Sequence, residues 1–195
     1  ARIADMIYDN RERIKIVLIS GPSSSGKTTF AQRLSIQLRV NGFIPENISL
    51  DDYFVNKDQT PLDQFGKPDY EALETVDLKL FNEQLNSLIQ GEEVQIPTYN
   101  FLTGKREYSG KRLSLGEGKV LVIEGIHGLN PKLLEDFDPS QTYKVYASCL
   151  TQLNLDRHNR ISTTDTRMLR RIVRDARDRG YSAQDTIGRW ESVRR

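Results

Sequence analysis

Apolar and polar positions follow two rhythms along this chain. Ile14-Lys-Ile-Val-Leu-Ile19 is a β-branched apolar run of strand length that ends at Ser20-Gly21, the pattern of a buried parallel strand entering a turn. From Lys27 to Val40 the spacing of Phe30, Ala31, Leu34 and Leu38 becomes helical, and Asn41-Gly42 supplies a stop. Ile48-Ser49-Leu50 before Asp51-Asp52 predicts a short second strand, with Ile44-Pro45-Glu46-Asn47 as the connection into it. Residues 53–69 read as loop, 73–89 as a helix stopped by Gly91, and 93–115, with Pro97, Gly104 and Gly110, as short strands and hairpins. Val120-Leu-Val-Ile123 before Glu124-Gly125 is a third buried strand, 143–147 a fourth, and 184–195 a closing helix. Strands alternating with helices predict a three-layer α/β fold with a mostly parallel sheet, in which 93–115 is an inserted β flap.

Composition narrows the picture in three ways. The 195 residues suit one domain, 1–195, able to bury a core. A net charge of +1, from 28 basic and 27 acidic side chains, argues against a dedicated nucleic-acid or membrane-surface protein, so any basic site must be local. With Cys149 the lone cysteine and His127 and His158 the only imidazoles, an internal disulfide and a multi-cysteine zinc site are excluded, and a metal would need oxygen ligands. That favours Mg²⁺. No apolar run reaches the roughly 18–20 residues of a membrane span and no signal-peptide layout opens the chain, so a cytoplasmic location is expected. The chain starts at Ala1 rather than Met and its final helix pattern runs to Arg195, so a piece of a longer protein is expected; a homo-oligomer stays open.

Gly21-Pro22-Ser23-Ser24-Ser25-Gly26-Lys27-Thr28 matches G-x-x-x-x-G-K-[ST] between the best strand and a helix. Successive backbone N–H groups in such a loop form an anion nest at a helix N-terminus. The expected phosphate contacts are Gly21, Ser23, Ser24, Ser25, Gly26, Lys27, Thr28 and Thr29, with Lys27 on the β- and γ-phosphates of ATP and the Thr28 hydroxyl on Mg²⁺. A GTPase is disfavoured, because Asn56-Lys57-Asp58-Gln59 lacks the final Asp that would read guanine and Asp63-Gln-Phe-Gly66 falls in a loop. An ATPase, a small-molecule kinase or a non-catalytic nucleotide-sensing or RNA-associated module remain.

In an open α/β sheet the ligand crevice lies beyond the carboxyl ends of the strands, which should bring Asp51, Asp52 and Glu124 near the glycine loop. Phosphoryl transfer to an alcohol needs one carboxylate near the hydroxyl and another group holding Mg²⁺. Asp51 or Asp52 suits the first role and Glu124 the second. If the strand runs on through them, Asp51 and Asp52 point to opposite faces.

Residues 151–195 carry 11 Arg and no Lys against 6 acids. On a helical wheel Arg167, Arg170, Arg171 and Arg174 cluster within about 100°, opposite Met168, Leu169, Ile172, Val173 and Ala176. A stripe of guanidinium forks suits a lid, at about 160–180, that clamps a moving phosphoryl group. A solvated helix face is the other reading.

These segments together resemble the uridine kinase and phosphoribulokinase family of P-loop kinases. The resemblance rests on the glycine loop through Thr29, Ser49-Leu-Asp-Asp-Tyr-Phe54, Pro97-Thr-Tyr-Asn-Phe101, Ile123-Glu-Gly125 and Asp165-Thr-Arg-Met-Leu-Arg-Arg-Ile-Val-Arg-Asp-Ala-Arg-Asp-Arg-Gly180, in order over about residues 14–190. It implies a P-loop NTPase fold with an arginine-rich lid helix, and ATP-dependent transfer to a small-molecule hydroxyl, a uridine- or cytidine-like nucleoside being favoured over a sugar phosphate or pantothenate-like compound. By the same resemblance Asp51 would be the base with Asp52 as runner-up, and Thr28 and Glu124 would serve Mg²⁺. Glu71 would hold ribose hydroxyls, Tyr99 and Phe101 would flank the base, Arg167 would approach the acceptor, and Arg170, Arg171 and Arg174 would form the lid. The chain departs from the family pattern at Glu71-Ala72-Leu73, where the family has Asp-His-Pro, and at Gly104, where it has a pyrimidine-reading His. The 148–164 stretch is longer than the family's usual link into the lid.

Overall fold

A computed structural model describes residues 1–134, 137–150, 154 and 156–194. In chain order the elements are α1 (Arg2–Tyr8), β1 (Ile16–Ser20), α2 (Lys27–Val40), β2 (Ile44–Ser49), α3 (Leu78–Ile89), β3 (Glu93–Gln95), β4 (Thr98–Asn100), β5 (Lys105–Glu107), β6 (Arg112–Ser114), β7 (Lys119–Glu124), β8 (Thr142–Tyr146), α4 (Thr163–Asp178), α5 (Ala183–Gly188) and α6 (Trp190–Arg194). The main sheet has the order β2-β7-β1-β8 with every pairing parallel. From β1 the chain crosses to β2 on one side, and from β7 to β8 on the other. The carboxyl end of β1 is therefore the switch point at which such sheets open a crevice.

All five residues of β1 are buried, because the strand serves two cores. Val17 and Ile19, with Val120 and Val122 of β7, pack under α1 and α2 against Ala4, Ile7, Leu34 and Leu38. Ile16 and Leu18, with Leu121 and Ile123, face the opposite layer and meet Phe81, Leu85 and Leu88 of α3. This period-two division makes an unbroken apolar run the correct sequence for a strand covered on both faces, and it gives the predicted three layers.

Several boundaries differ from the sequence reading. The Ile44–Asn47 segment, expected as a connection, belongs to β2, which tolerates Pro45 because it is the sheet's edge strand. The predicted helix over 73–89 divides into a 3₁₀ turn, Leu73–Thr75, and α3, which starts after Asp77 accepts the Leu80 N–H at 3.0 Å. The expected closing helix breaks into α5 and α6 at Arg189, and its last position, 195, lies outside the described residues. So do positions 151–153 and 155 of the long link. Short α1 carries only two buried side chains, Ala4 and Ile7, too few to register as a periodic pattern.

The flap is a nested hairpin, β3 pairing with β6 and β4 with β5, both antiparallel. It is tied to the body where Arg106 of β5 meets the α3 cap Asp77 at 2.9 Å, and where Tyr99 packs edge-on against Phe54 at 5.6 Å. No described helix is long and apolar enough to cross a membrane.

Leu121 is fully buried where β7 pairs with both β1 and β2. Leu121→Ala is expected to cost about 3 kcal/mol, read as a lower urea midpoint with an unchanged slope.

Candidate active site

The glycine loop is shaped by backbone demands that its sequence meets. Gly26 caps α2 with φ +100°, and Ser24 is the only described non-glycine residue with positive φ, at +62°. A Cβ on Gly21 would collide with the Ala147 carbonyl, so the start of the loop can lie against the end of β8 only as glycine. The Ala147 N–H donates to the Ser20 carbonyl at 2.6 Å and the Ser20 hydroxyl to the Ile126 carbonyl at 2.8 Å, fixing the loop's floor to both neighbouring strand ends.

Lys27 and Thr28, at the first turn of α2, face the strand-end acids. The Thr28 hydroxyl donates to Glu124 Oε1 at 2.8 Å, and the Ser49 hydroxyl reaches the same oxygen at 3.4 Å. Burial lowers the Lys27 ammonium from its ordinary pKa against the pull of Glu124, Asp51 and Glu71. Burial raises Glu124, with the Asp51 charge adding to it and the Thr28 hydrogen bond opposing it; burial likewise raises Glu71 against the nearby Arg171.

The three strand-end acids do not converge as expected. The chain leaves β2 through a 3₁₀ turn, Leu50–Tyr53, rather than continuing extended. Asp51 lines the same cleft as Glu124 and Glu71, while the Asp52 carboxylate turns to the flap and accepts the Tyr99 N–H at 3.2 Å. Asp52 does not line the cleft. The described residues contain no group of three or more His, Cys, Asp or Glu arranged as a metal site. A Mg²⁺ site here would use Thr28 and Glu124 oxygens and leave most positions to phosphate and water, as this ion prefers.

The arginine face of α4 points inward, onto the glycine loop. Arg167 Nε donates to the Ser23 carbonyl at 3.2 Å, Arg170 Nε to the Ser24 carbonyl at 3.2 Å, and Arg171 Nη1 to the Ser23 hydroxyl at 2.7 Å. Of the apolar stripe, Leu169 and Val173 are 60% and 64% exposed, while Met168 and Ile172 are half-buried. Asp175, 2% exposed, holds the arginines together: Arg174 lies at 2.7 Å, Arg171 at 3.4 Å and Arg179 at 3.8 Å. Arg167 packs 5.4 Å over the Trp190 ring and does not line the cleft, unlike Arg170, Arg171 and Arg174.

Arg179 was missed by the helical wheel. It is the C-cap of α4, about 120° round the wheel from Arg167 and so off the arginine face, and its guanidinium stacks 3.9 Å over Phe101 while meeting Asp51 Oδ2 at 3.4 Å. A cap residue carrying a charge gave no periodic signal. Tyr99 and Phe101, 5.0 Å apart and edge-to-face, form the flap wall of the cleft, and Tyr70 and Tyr181 also line it.

The result is one cleft of about 1050 Å³ running from the glycine loop to the flap aromatics, large enough for two substrates end to end. Along the loop, the buried Ser24 and Ser25 hydroxyls have no hydrogen-bond partner among the described residues. Orphaned donors around an anion nest fit phosphate oxygens.

A central parallel strand that runs through such a loop into a helix defines the P-loop nucleotide-binding class. The chain belongs to the phosphoribulokinase / uridine kinase family, whose model matches residues 16–195. It is 29% identical over 178 residues to a uridine kinase of Macrococcus caseolyticus, covering 91% of this chain and 77% of that one. A Lactobacillus helveticus uridine kinase is 27% identical, covering 92% and 76%. Among solved structures, a putative fructose transport system kinase from Silicibacter sp. TM1040 superposes with a TM-score of 0.65 at 19% identity, covering 98% of this chain and 92% of that one. A possible uridine kinase from Bacillus stearothermophilus gives 0.58 at 22% identity over 73% and 78%. These two likenesses are of fold. The protein is an ATP-dependent kinase.

Two predictions follow from the charges. Asp175→Ala leaves three guanidinium groups without their shared carboxylate and is expected to cost about 3 kcal/mol, appearing as faster hydrogen exchange in α4 while β1 stays protected. Glu124 has a folded pKa above its unfolded value, so its contribution to stability is full below about pH 4.5 and is lost as pH rises through the folded pKa. Glu124→Gln should therefore raise Tm by a few degrees at pH 7 and flatten the decline in stability above pH 4.5, while kinase activity falls.

Proposed function

We propose that the chain transfers the γ-phosphoryl group of ATP to the 5′-hydroxyl of a nucleoside of the uridine or cytidine type. The observation that carries the reading is the sharing of one cleft by the glycine loop, Asp51, Glu71 and the Tyr99–Phe101 pair. Residues 1–195 act as one kinase domain, with 93–115 as the acceptor-side flap and α4 as the lid. The two curated relatives described above are uridine kinases, which supports a nucleoside acceptor.

In this mechanism the loop N–H groups, the hydroxyls of Ser23, Ser24 and Ser25, and Thr29 cradle the phosphates, while Lys27 offsets charge on the β–γ bridge as it breaks. Asp51 accepts the 5′-hydroxyl proton as that oxygen bonds to the γ-phosphorus, and ADP leaves. Arg179, 3.4 Å from Asp51, holds the carboxylate in place. Thr28 and Glu124 would hold Mg²⁺, whose charge offsets that of the phosphates. Glu71 accepts hydrogen bonds from the ribose hydroxyls, and Tyr99 and Phe101 flank the base. Arg170, Arg171 and Arg174 close over the transferring group.

The test is ADP release with Mg-ATP against uridine, cytidine, purine nucleosides, pantothenate and sugar phosphates. Turnover dependent on a nucleoside supports the reading, and turnover dependent only on another acceptor overturns it. Asp51→Asn is expected to lower kcat at least about 100-fold with ATP binding retained, because the proton loses its acceptor but the phosphate cradle is untouched. Lys27→Ala should abolish turnover with every acceptor. Undiminished turnover in Asp51→Asn would place the base elsewhere.

A further inference from the structure

The two acids that follow β2 serve different walls of the cleft. Asp51 lines it, whereas the neighbouring Asp52 carboxylate accepts the N–H of Tyr99, in β4 of the flap, at 3.2 Å. Four residues further on, the Asn56 side-chain oxygen accepts the N–H of Arg106, in β5, at 3.0 Å. Tyr99 and Arg106 face each other across the inner hairpin. That hairpin is therefore gripped at one level on both of its strands, by two side chains of a single segment.

The grip at Tyr99 closes a ring of contacts. Tyr99 lies 5.0 Å from Phe101, Phe101 lies 3.9 Å under the Arg179 guanidinium, and Arg179 meets Asp51 at 3.4 Å. The peptide bond between Asp51 and Asp52 completes it. The aromatic wall is thus fixed relative to the Asp51 carboxylate from two sides, through Arg179 and through Asp52. The flap has other ties: Arg106 to Asp77 at 2.9 Å, the Lys57 N–H to the Gly104 carbonyl at 2.9 Å, and the Phe54 ring against Tyr99. Asp52 differs from these in being next in the chain to Asp51 while bonded to a residue that supplies one of the wall's rings. Tyr99 is only 8% exposed, so water is a poor substitute for that carboxylate.

We propose that Asp52 is a positioning residue for the transfer: without lining the cleft, it holds Tyr99, and with it the aromatic wall, where an acceptor lying against the wall presents its hydroxyl to Asp51. The inference rests on the nucleoside reading above, in which that wall flanks the acceptor's base. Orientation of this kind acts on acceptor binding and leaves the phosphate cradle alone. Asn56 supports the same hairpin from its other strand.

The experiment measures kcat, the KM values for uridine and ATP, and hydrogen exchange at the Tyr99 amide in the wild type, Asp52→Ala, Asp52→Asn and Asn56→Ala. Asp52→Ala leaves the Tyr99 N–H without its acceptor and should raise the uridine KM about tenfold, with faster exchange at that amide. The ATP KM should stay within about twofold, since the glycine loop is a separate site. Asparagine keeps an oxygen acceptor, so Asp52→Asn should recover most of the loss. Asn56→Ala should raise the uridine KM in the same direction, and it carries the test if Asp52→Ala fails to fold. In every variant kcat should fall far less than in Asp51→Asn, because the proton acceptor remains. A merely structural role would raise both KM values together. An unchanged uridine KM in the alanine variants, or no recovery in Asp52→Asn, overturns the inference while the nucleoside reading stands. A kcat loss in Asp52→Asn equal to that of Asp51→Asn also overturns it, because Asp52 would then be taking the proton itself. Turnover of a sugar phosphate with no nucleoside turned over overturns both.

Discussion

The carboxylate of Asp175, almost wholly buried, is the contact on which the arrangement of the cleft depends. Without a counter-charge, Arg171, Arg174 and Arg179 would repel one another and move out to water, because isolated guanidinium groups are costly to bury. With Asp175 among them they form a positive surface directed at the glycine loop, and two reach further: Arg171 to Glu71 at 3.8 Å and Arg179 to Asp51 at 3.4 Å. One acid on α4 therefore helps to set the position of Arg171 at the glycine loop and of Arg179 beside the flap aromatics. Its i,i+4 spacing from both Arg171 and Arg179 makes this possible, since a single helical turn in each direction separates it from its partners.

Beneath α4, the crevice holds charges in positions that cost stability. Lys27, Glu71 and Glu124 are all shifted toward their neutral forms by burial, and the opposite charges between them only partly offset it. The same desolvation makes each charge act more strongly on a bound phosphate than it would in water. The doubly covered sheet supplies the rigidity that keeps such groups close together: β1 and β7 are locked by apolar packing on both faces, and their ends carry the loop and Glu124.

The parts of this arrangement legible in the sequence were those whose physics is local. The glycine loop could be placed because strand, φ-demanding turn and helix N-terminus follow one another within a few residues, and the buried strands because double coverage leaves an unbroken apolar run. Asp51 and Asp52 could not be separated, since a 3₁₀ turn in place of continued strand decides which one faces the cleft. Arg179 was hidden because the wheel places it about 120° from Arg167, off the arginine face. The helical wheel found both faces of α4 but not which one is inward. A guanidinium face buries against an acid and a loop of hydroxyls and carbonyls that lie far away in sequence, and periodicity carries no information about that partner. The stretch at 44–47 was misread because Pro45 argues against an interior strand but is harmless at an edge.

The inward arginine face also bears on how α4 could move. Apolar burial is non-directional and is lost steeply when surfaces separate, so a helix held by it tends to stay fixed. The arginines of α4 contact the glycine loop through hydrogen bonds to Ser23 and Ser24, and the helix presents Leu169 and Val173 to solvent rather than to the sheet. The groups those arginines contact, main-chain carbonyls and a serine hydroxyl, are weaker partners for guanidinium than phosphate oxygens, which bear full charge and match its fork. Arrival of a triphosphate on the loop would therefore replace neutral acceptors with charged ones. This difference in partner strength gives the proposed lid a reason to close on nucleotide, and it arises from the burial of the arginine face rather than the apolar one.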